Sequence, residues 1–353
     1  MLRRDEMRSL FFYALLASAA RPSLVSAAFP PTDSSWTRSP APGVPVLNAS
    51  LSWEGACVCE NVALYDAARA EFVMFYRGGW GTQMVGRATS PDGLSWEKHA
   101  TPVFGADGKI GGQPYVFHEG ANLSGTLMMF TTDNNPPHVY IATSVDRGFT
   151  WTQEASSIAL PPTGSLWGNR VVWREGATFF MLQEVMAAGP WQIFLASSPD
   201  GLSWTWMHGG APLASLQLHA GGMYGGPRFA SLDGALTPRW ESDGLYHLWM
   251  HAVNSSGGLP TDVYHASSAD LLSWEVTPGP AVRHLGGSTF EHDQCAGPVP
   301  LVVGGQAFLY YDGDNNDVGS CAIGLVKADA RAAPGRARPP PPPPPPGRAA
   351  ATN

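Results

Sequence analysis

The chain has 353 residues, enough for one large domain or two ordinary ones, and 44% of them are hydrophobic, enough to fill a sizeable core. Only 14% are charged, while Gly (40), Pro (32) and Trp (13) are abundant, a balance that favours many short strands joined by tight turns over long amphipathic helices. A formal charge of -8 with no basic stripe excludes a nucleic-acid binder, whose affinity needs clustered Lys and Arg, and leaves a neutral or cationic partner.

Residues 1–27 carry Arg3, Arg4 and Arg8, then the apolar run SLFFYALLASAA, then small residues from Val25 to Ala28. This is the pattern of a secretory signal peptide cleaved near Ala27. The apolar run is too short to span a bilayer, so a secreted protein without a membrane anchor is expected. Sequons at Asn48, Asn122 and Asn254 fit that route. Four cysteines, Cys57, Cys59, Cys295 and Cys321, form an even count for an oxidising destination, and the C-x-C spacing puts Cys57 and Cys59 on one face of a strand. No metal-ligand spacing is present, so no metal site is expected among them.

The main chain is organised by a repeat. ATSPDGLSWEKH (Ala88 to His99), ATSVDRGFTWTQ (Ala142 to Gln153), ASSPDGLSWTWM (Ala196 to Met207) and ASSADLLSWEVT (Ala266 to Thr277) are four copies of one hairpin: a strand ending in Ala-[TS]-Ser, a tight turn with Asp, and a strand opening with Trp. The Trp residues, Trp96, Trp151, Trp204 and Trp274, are spaced by 55, 53 and 70 residues, the length of a four-stranded propeller blade with variable loops. Two apolar, aromatic-rich runs precede each hairpin, as NVALYD and EFVMFYRG do in the first unit. A fifth unit, with GPVPLVVGG, QAFLYYDGD and GSCAIGLVKAD, stops one strand short.

The missing strand is expected at the other end. Ser34 to Leu47, SSWTRSPAPGVPVL, has the form of the hairpin's last strand, with Trp36 in the place of the repeat Trp. The predicted architecture is therefore an all-β, five-bladed β-propeller over residues 34–329, with the N-terminal segment as the outer strand of the last blade and no open sheet edge. A disulfide from Cys295 to Cys57 or Cys59 would lock that seam. Residues 330–353, with eight consecutive prolines, are expected to be a disordered tail.

If each blade runs outward from the axis, its first and third connections lie on one face and its second connection joins the links between blades on the other. The repeat turns with Asp92, Asp146, Asp200 and Asp270 then occupy the first face, where Asp caps its own turn. The opposite face gathers inner-strand starts (Glu60, Asn61, Gln113, Asn169, Arg228, His292 and Asp293) and the middle connections (Arg77, Trp80, Asp133, Glu184, Trp191, His251, Asp312, Asp314). Carboxylates, amides and indoles converging there have the composition of a sugar site: carboxyl pairs for acid and base work, amides for hydroxyls, Trp for pyranose faces.

The repeated Ala-[TS]-Ser-x-Asp-Gly-x-x-Trp hairpin with strands such as EFVMFYRG resembles the five-bladed propellers of glycoside hydrolase families 43, 32 and 68 and their relatives, over Ser34 to Asp329. The resemblance implies a secreted carbohydrate-cleaving monomer with acids at the inner strands of the first three blades. Glu60 matches the first; Gln113 and Asn169 stand at the other two, and Asp133, Glu184 and Asp293 are the acids that would replace them. The catalytic set is thus Glu60, Asp133, Glu184 and Asp293, with Glu184 as general acid and Glu60 or Asp293 as base or nucleophile. Asn61, Arg77, Trp80, Gln113, Asn169, Trp191, Arg228, His251, His292 and Asp312 would bind the sugar. No cofactor is required, although a structural calcium in the central channel is compatible with the fold. A non-catalytic carbohydrate-binding propeller is the second reading. SVDRGFTW, Ser144 to Trp151, also fits the Asp-box of sialidases, a lesser third reading.

Overall fold

Alternating apolar residues between Gly- and Pro-rich turns extend the chain into strands that bury one or both faces. The computed structural model describes residues 27–28, 36–79, 83–106, 111–134, 136–155, 158–187, 191–216, 223–253, 260–315 and 319–332. In chain order, β1 (Ala27–Ala28) and β2 (Thr37–Arg38) precede a four-stranded sheet of β3 (Val58–Asp66), β4 (Glu71–Gly78), β5 (Met84–Ser90) and β6 (Glu97–Lys98). A second sheet holds β7 (Gly112–Phe117), β8 (Leu127–Asn134), β9 (Pro137–Ser144) and β10 (Thr152–Glu154). A third holds β11 (Gly164–Glu175), β12 (Thr178–Ala187), β13 (Trp191–Ser198) and β14 (Thr205–Trp206).

The next strands are β15 (Met223–Phe229), the short pair β16 (Ser231–Leu232) and β17 (Ala235–Leu236), β18 (Tyr246–Val253), β19 (Thr261–Ser268) and β20 (Trp274–Val276). They continue through short parallel contacts into β21 (Gln294–Val303), β22 (Gln306–Asn315) and β23 (Ser320–Asp329). The final strand, β24 (Arg331–Ala332), pairs with β1 at the two boundaries of the expected leader and tail. The rest of those two segments lies outside the described residues. Helical pieces among the described residues are three-residue 3-10 turns, none long or apolar enough to cross a membrane.

The repeat Trp residues explain how the sheets stack. Trp151 packs edge-on against Phe75 of the preceding sheet (5.8 Å between centroids) and Trp204 against Phe130 (6.1 Å). Trp96, in the first sheet, packs the same way against Tyr310 of β22 (5.8 Å), so the first and last sheets are neighbours. Each aromatic pair contributes about 0.5–1.5 kcal/mol beyond its burial. The repeat aspartates cap their own turns: Asp146 Oδ1 accepts the Phe149 and Thr150 N–H groups at 3.1 and 3.0 Å, and Asp92, Asp200 and Asp270 do the same in their turns. Despite slight burial, bonds from Thr150 and Ser144 hold the Asp146 carboxyl down at about 2.

β2 pairs antiparallel with β23, Thr37 opposite Lys327 and Arg38 opposite Val326, so the N-terminal segment is the outer strand of the last sheet. Regular pairing is shorter than the sequence pattern suggests. Pro40, Pro42 and Pro45 have no N–H to donate, and contact resumes at Leu47 opposite Ile323. Side chains reinforce it: the Arg38 guanidinium grips the fully buried Glu291 carboxylate through Nε (3.0 Å to Oε1) and Nη2 (3.0 Å to Oε2), and Tyr311 Oη donates to Oε2 at 3.2 Å.

The disulfide differs from expectation. Cys57 pairs with Cys321, their Cα atoms 4.6 Å apart, and Cys59 and Cys295 are free and buried. The bond still joins the first sheet to the last, but the residue before β3 lies beside the start of β23, with which it forms a parallel bridge, rather than beside β21. Cys295 faces the Arg38–Glu291 pair instead, its Sγ 3.2 Å from Glu291 Oε2.

Candidate active site

The site begins with a local irregularity repeated five times. The pairing of each inner strand with its neighbour slips between Cys59 and Val62, Gly112 and Tyr115, Trp167 and Arg170, Gly225 and Arg228, and Ala296 and Val299. These β-bulges leave one or two residues unpaired and turn their N–H groups out of the ladder. Glu60 and Gln113 adopt φ values of 52° and 49° there, where Gly226 and Gly297 serve in later strands.

Side chains from one sheet bond to the bulge of the next. Glu60 Oε2 accepts the Gln113 N–H at 2.6 Å. Gln113, with its amide oriented to donate, reaches Trp167 O at 3.2 Å and Gly168 O at 3.1 Å. Glu184 Oε2 accepts the N–H groups of Asn169 (2.9 Å) and Gly226 (3.2 Å). His251 Nδ1 accepts the Gly297 N–H at 3.2 Å, and Asp312 Oδ1 accepts Asn61 Nδ2–H at 2.9 Å. The last bond returns to the first sheet, so five side chains close a circle around the inner strands.

Above this circle is a pocket of about 150 Å³ lined by Glu60, Arg77, Asn169, His251, Gln294, Asp312 and Asp314, with Cys59 and Cys321 in its wall. Arg77 Nη1 forms an ion pair with Glu60 Oε1 at 3.2 Å, and its Nη2 donates to Cys59 Sγ at 3.2 Å. Burial raises the Cys59 thiol to about 12 against the pull of Arg77. Burial also raises Asp312 to about 7; the Asn61 hydrogen bond opposes the rise and the charge of Glu60 adds to it. Asp314 is raised by burial, with Asp293 contributing. His251 is lowered by burial, partly offset by Glu184. Glycines make room: a Cβ on Gly225 would sit 2.2 Å from Glu184 Oε1 and 2.7 Å from His251 Nε2, and one on Gly297 2.5 Å from Asp312 Oδ2.

Of the residues singled out in the sequence, Glu60, Arg77, Asn169, His251, Asp312 and Asp314 line this pocket, and Asn61, Gln113 and Glu184 bond to its lining or to the bulges below it. Glu184 and Asp312 lie in strands β12 and β22 rather than in loops. Asp133, Trp191, His292 and Asp293 are not among the described residues of the lining. Asp133 faces His138 across β8 and β9, Trp191 opens β13, and Asp293 lies just before β21 with His292 Nε2 4.0 Å away. Arg228 lies deeper, its guanidinium 5.2 Å from the Tyr115 ring centroid. Trp80 and Asn254 lie outside the described residues. Gln294, within the run Glu291–Cys295 that leads into β21 on the expected face, also lines it, and Cys59 and Cys321 complete the wall without having been expected.

No protein-family model and no curated protein matches the chain. Solved structures do. A putative glycosidase from Bacteroides thetaiotaomicron superposes with a TM-score of 0.61 at 18% identity over 83% of this chain and 96% of its own. A protein of the glycoside hydrolase family 130 of mannoside phosphorylases, which contains hydrolases of β-1,2-mannosidic linkages in Candida mannan, gives 0.58 at 19% identity over 88% and 98%. The Bombyx mori family 32 β-fructofuranosidase gives 0.55 at 13% identity over 92% and 67%. The fold is that of the β-propeller glycoside hydrolases. In the propeller, the pocket opens where the inner strands begin, and the register of β3 with β4 and of β4 with β5 puts the Asp92 turn at the opposite end of its sheet from Glu60.

Proposed function

We propose that this chain is a secreted five-bladed propeller that hydrolyses a glycosidic bond, with Asp312 as proton donor and Glu60 as base or nucleophile. The observation that carries the reading is the pairing of unlike carboxyls in one pocket: Asp312, buried and pushed up to about 7, beside Glu60, which Arg77 engages through an ion pair. Carboxyls whose environments differ in this way divide the roles of acid and base. A protonated Asp312 gives its proton to the departing glycosidic oxygen; Glu60 either attacks the anomeric carbon or removes a proton from the water that does. Glu184 is less suited to proton donation because its Oε2 is committed to two backbone N–H groups that tie neighbouring inner strands. Asn169 and His251 are placed to bond substrate hydroxyls. Five bulged inner strands and the closed circle of side-chain bonds support the blade number. The chemistry needs a carbohydrate, a single copy of the chain and no cofactor.

A second reading, a carbohydrate-binding propeller without turnover, is favoured by one observation: Gln113 and Asn169 hold amides where the resembling families hold acids, and the Gln113 amide serves strand-to-strand bonding. Assay of the protein and of Asp312→Asn on a panel of glycosides decides between them. Turnover that falls by a factor of about 10²–10⁴ on substitution supports the hydrolase; ligand binding with no turnover supports the binding module.

A further inference from the structure

Beneath the carboxylate pocket the inner strands enclose a second cavity. Val62 to Leu64 of β3, Tyr115 to Phe117 of β7, Arg228 and Phe229 of β15, and Val299 and Pro300 of β21 line it, with His118 and Ser231 completing the wall. Its volume of about 30 Å³ holds roughly two water-sized spheres, too little for a sugar. Three buried polar atoms without a partner belong to this wall: Arg228 Nε, Ser231 Oγ and His118 Nδ1. Their residues are only 3%, 6% and 6% exposed.

Arg228 directs Nη1 to the carbonyls of Arg170 and Pro227. Arg170, fully buried, donates to Gln183 Oε1 and Gly168 O at 2.8 Å each and keeps Nη1 without a partner. The carboxylates these cations feel act at a distance: Asp312 on Arg228, Glu184, bonded to the Asn169 and Gly226 N–H groups, on both, and Glu60, paired with Arg77, on both. Neither guanidinium makes a direct ion pair among the described residues, and a buried donor without an acceptor is costly, so an anion within reach of Arg228 Nε would offset that cost. The calcium that the fold allows does not fit here: it takes about six to eight oxygen ligands, many of them carboxylates, and this wall offers an arginine and no acid.

We propose that the axial cavity binds a halide ion, which accepts hydrogen bonds from Arg228 Nε and Ser231 Oγ and gives the Arg228 guanidinium a direct anionic partner. The inference is independent of the glycosidase reading. The test titrates sodium chloride and sodium bromide against sodium gluconate at constant ionic strength, reads thermal unfolding, and locates bromide by anomalous scattering in a soaked crystal. A ligand bound to the folded state alone should raise Tm by several degrees and saturate, and the bromide peak should lie within hydrogen-bond reach of Arg228 Nε. Arg228→Met should abolish the halide dependence. If that variant does not fold, Ser231→Ala, which removes one donor, should weaken halide affinity several-fold. A Tm that is equal in halide and gluconate or never saturates, a cavity holding water only, or stabilisation by calcium or inorganic phosphate but not by halide would each overturn the proposal.

Discussion

Arg38→Met isolates the contact that fastens the N-terminal strand to the last sheet. The substitution leaves the Glu291 carboxylate, fully buried, without its cation, while Tyr311 Oη still donates to it. Removing one partner of a buried pair costs about 3–5 kcal/mol because the remaining charge stays desolvated. Arg38 is 14% exposed in its side chain, so water reaches the site and the lower end, about 3 kcal/mol, is expected. Urea denaturation at neutral pH measures it. The double variant Arg38→Met/Glu291→Gln should recover most of the loss, since the amide oxygen still accepts from Tyr311 and carries no charge. A single-variant loss below about 1 kcal/mol, the value of a surface ion pair, would refute the reasoning. So would a double variant no more stable than the single one.

Three further outcomes follow from the same contacts. Burial lowers His118 to about 4 and His265 to about 3, so both are neutral when folded and take up protons on unfolding. Their contribution, roughly 3 kcal/mol or more each by the usual conversion, is complete above about pH 6.5 and lost as pH falls toward those values; stability unchanged between pH 6.5 and 4.5 would contradict it. Because Asp312 is raised to about 7, its cost to stability is absent below the ordinary carboxylate range, grows as pH rises from there to about 7, and is constant above. Asp312→Asn should therefore stabilise the protein by up to about 4 kcal/mol at pH 8 and much less at pH 5; equal effects at both would argue against a buried neutral acid. Peptide mapping of non-reduced protein should find Cys57 joined to Cys321, with Cys59 and Cys295 alkylated only after unfolding; a bridge containing Cys295 would contradict the seam described above.

The hairpins were legible in the sequence because their signals are local: an Asp that caps its turn and a Trp at a fixed distance carry the same information in every copy. The pairing of β2 with β23 was legible because Trp36 repeats the pattern. The bulges were not. Glu60 and Gln113 are ordinary residues in a left-handed conformation, set by the register slips in which they sit, and sequence spacing does not encode those slips. The disulfide partner was missed for a related reason: whether β21 or β23 meets Cys57 depends on how adjacent sheets stack face to face. The different surroundings of Asp312 and Glu184 were also beyond the sequence, since both are equally buried acids on second strands and differ in the donors that meet them, an Asn61 side chain for one and two backbone N–H groups for the other.

The most direct test of the central claim is the pH dependence of glycoside turnover for the protein and for Asp312→Asn. If Asp312 gives the proton, the rate should be sustained below pH 7 and fall as pH rises through about 7. Asp312→Asn should lose both that limb and nearly all turnover while still binding sugar. Full activity in Asp312→Asn, or a rate that does not fall above pH 7, would contradict the assignment.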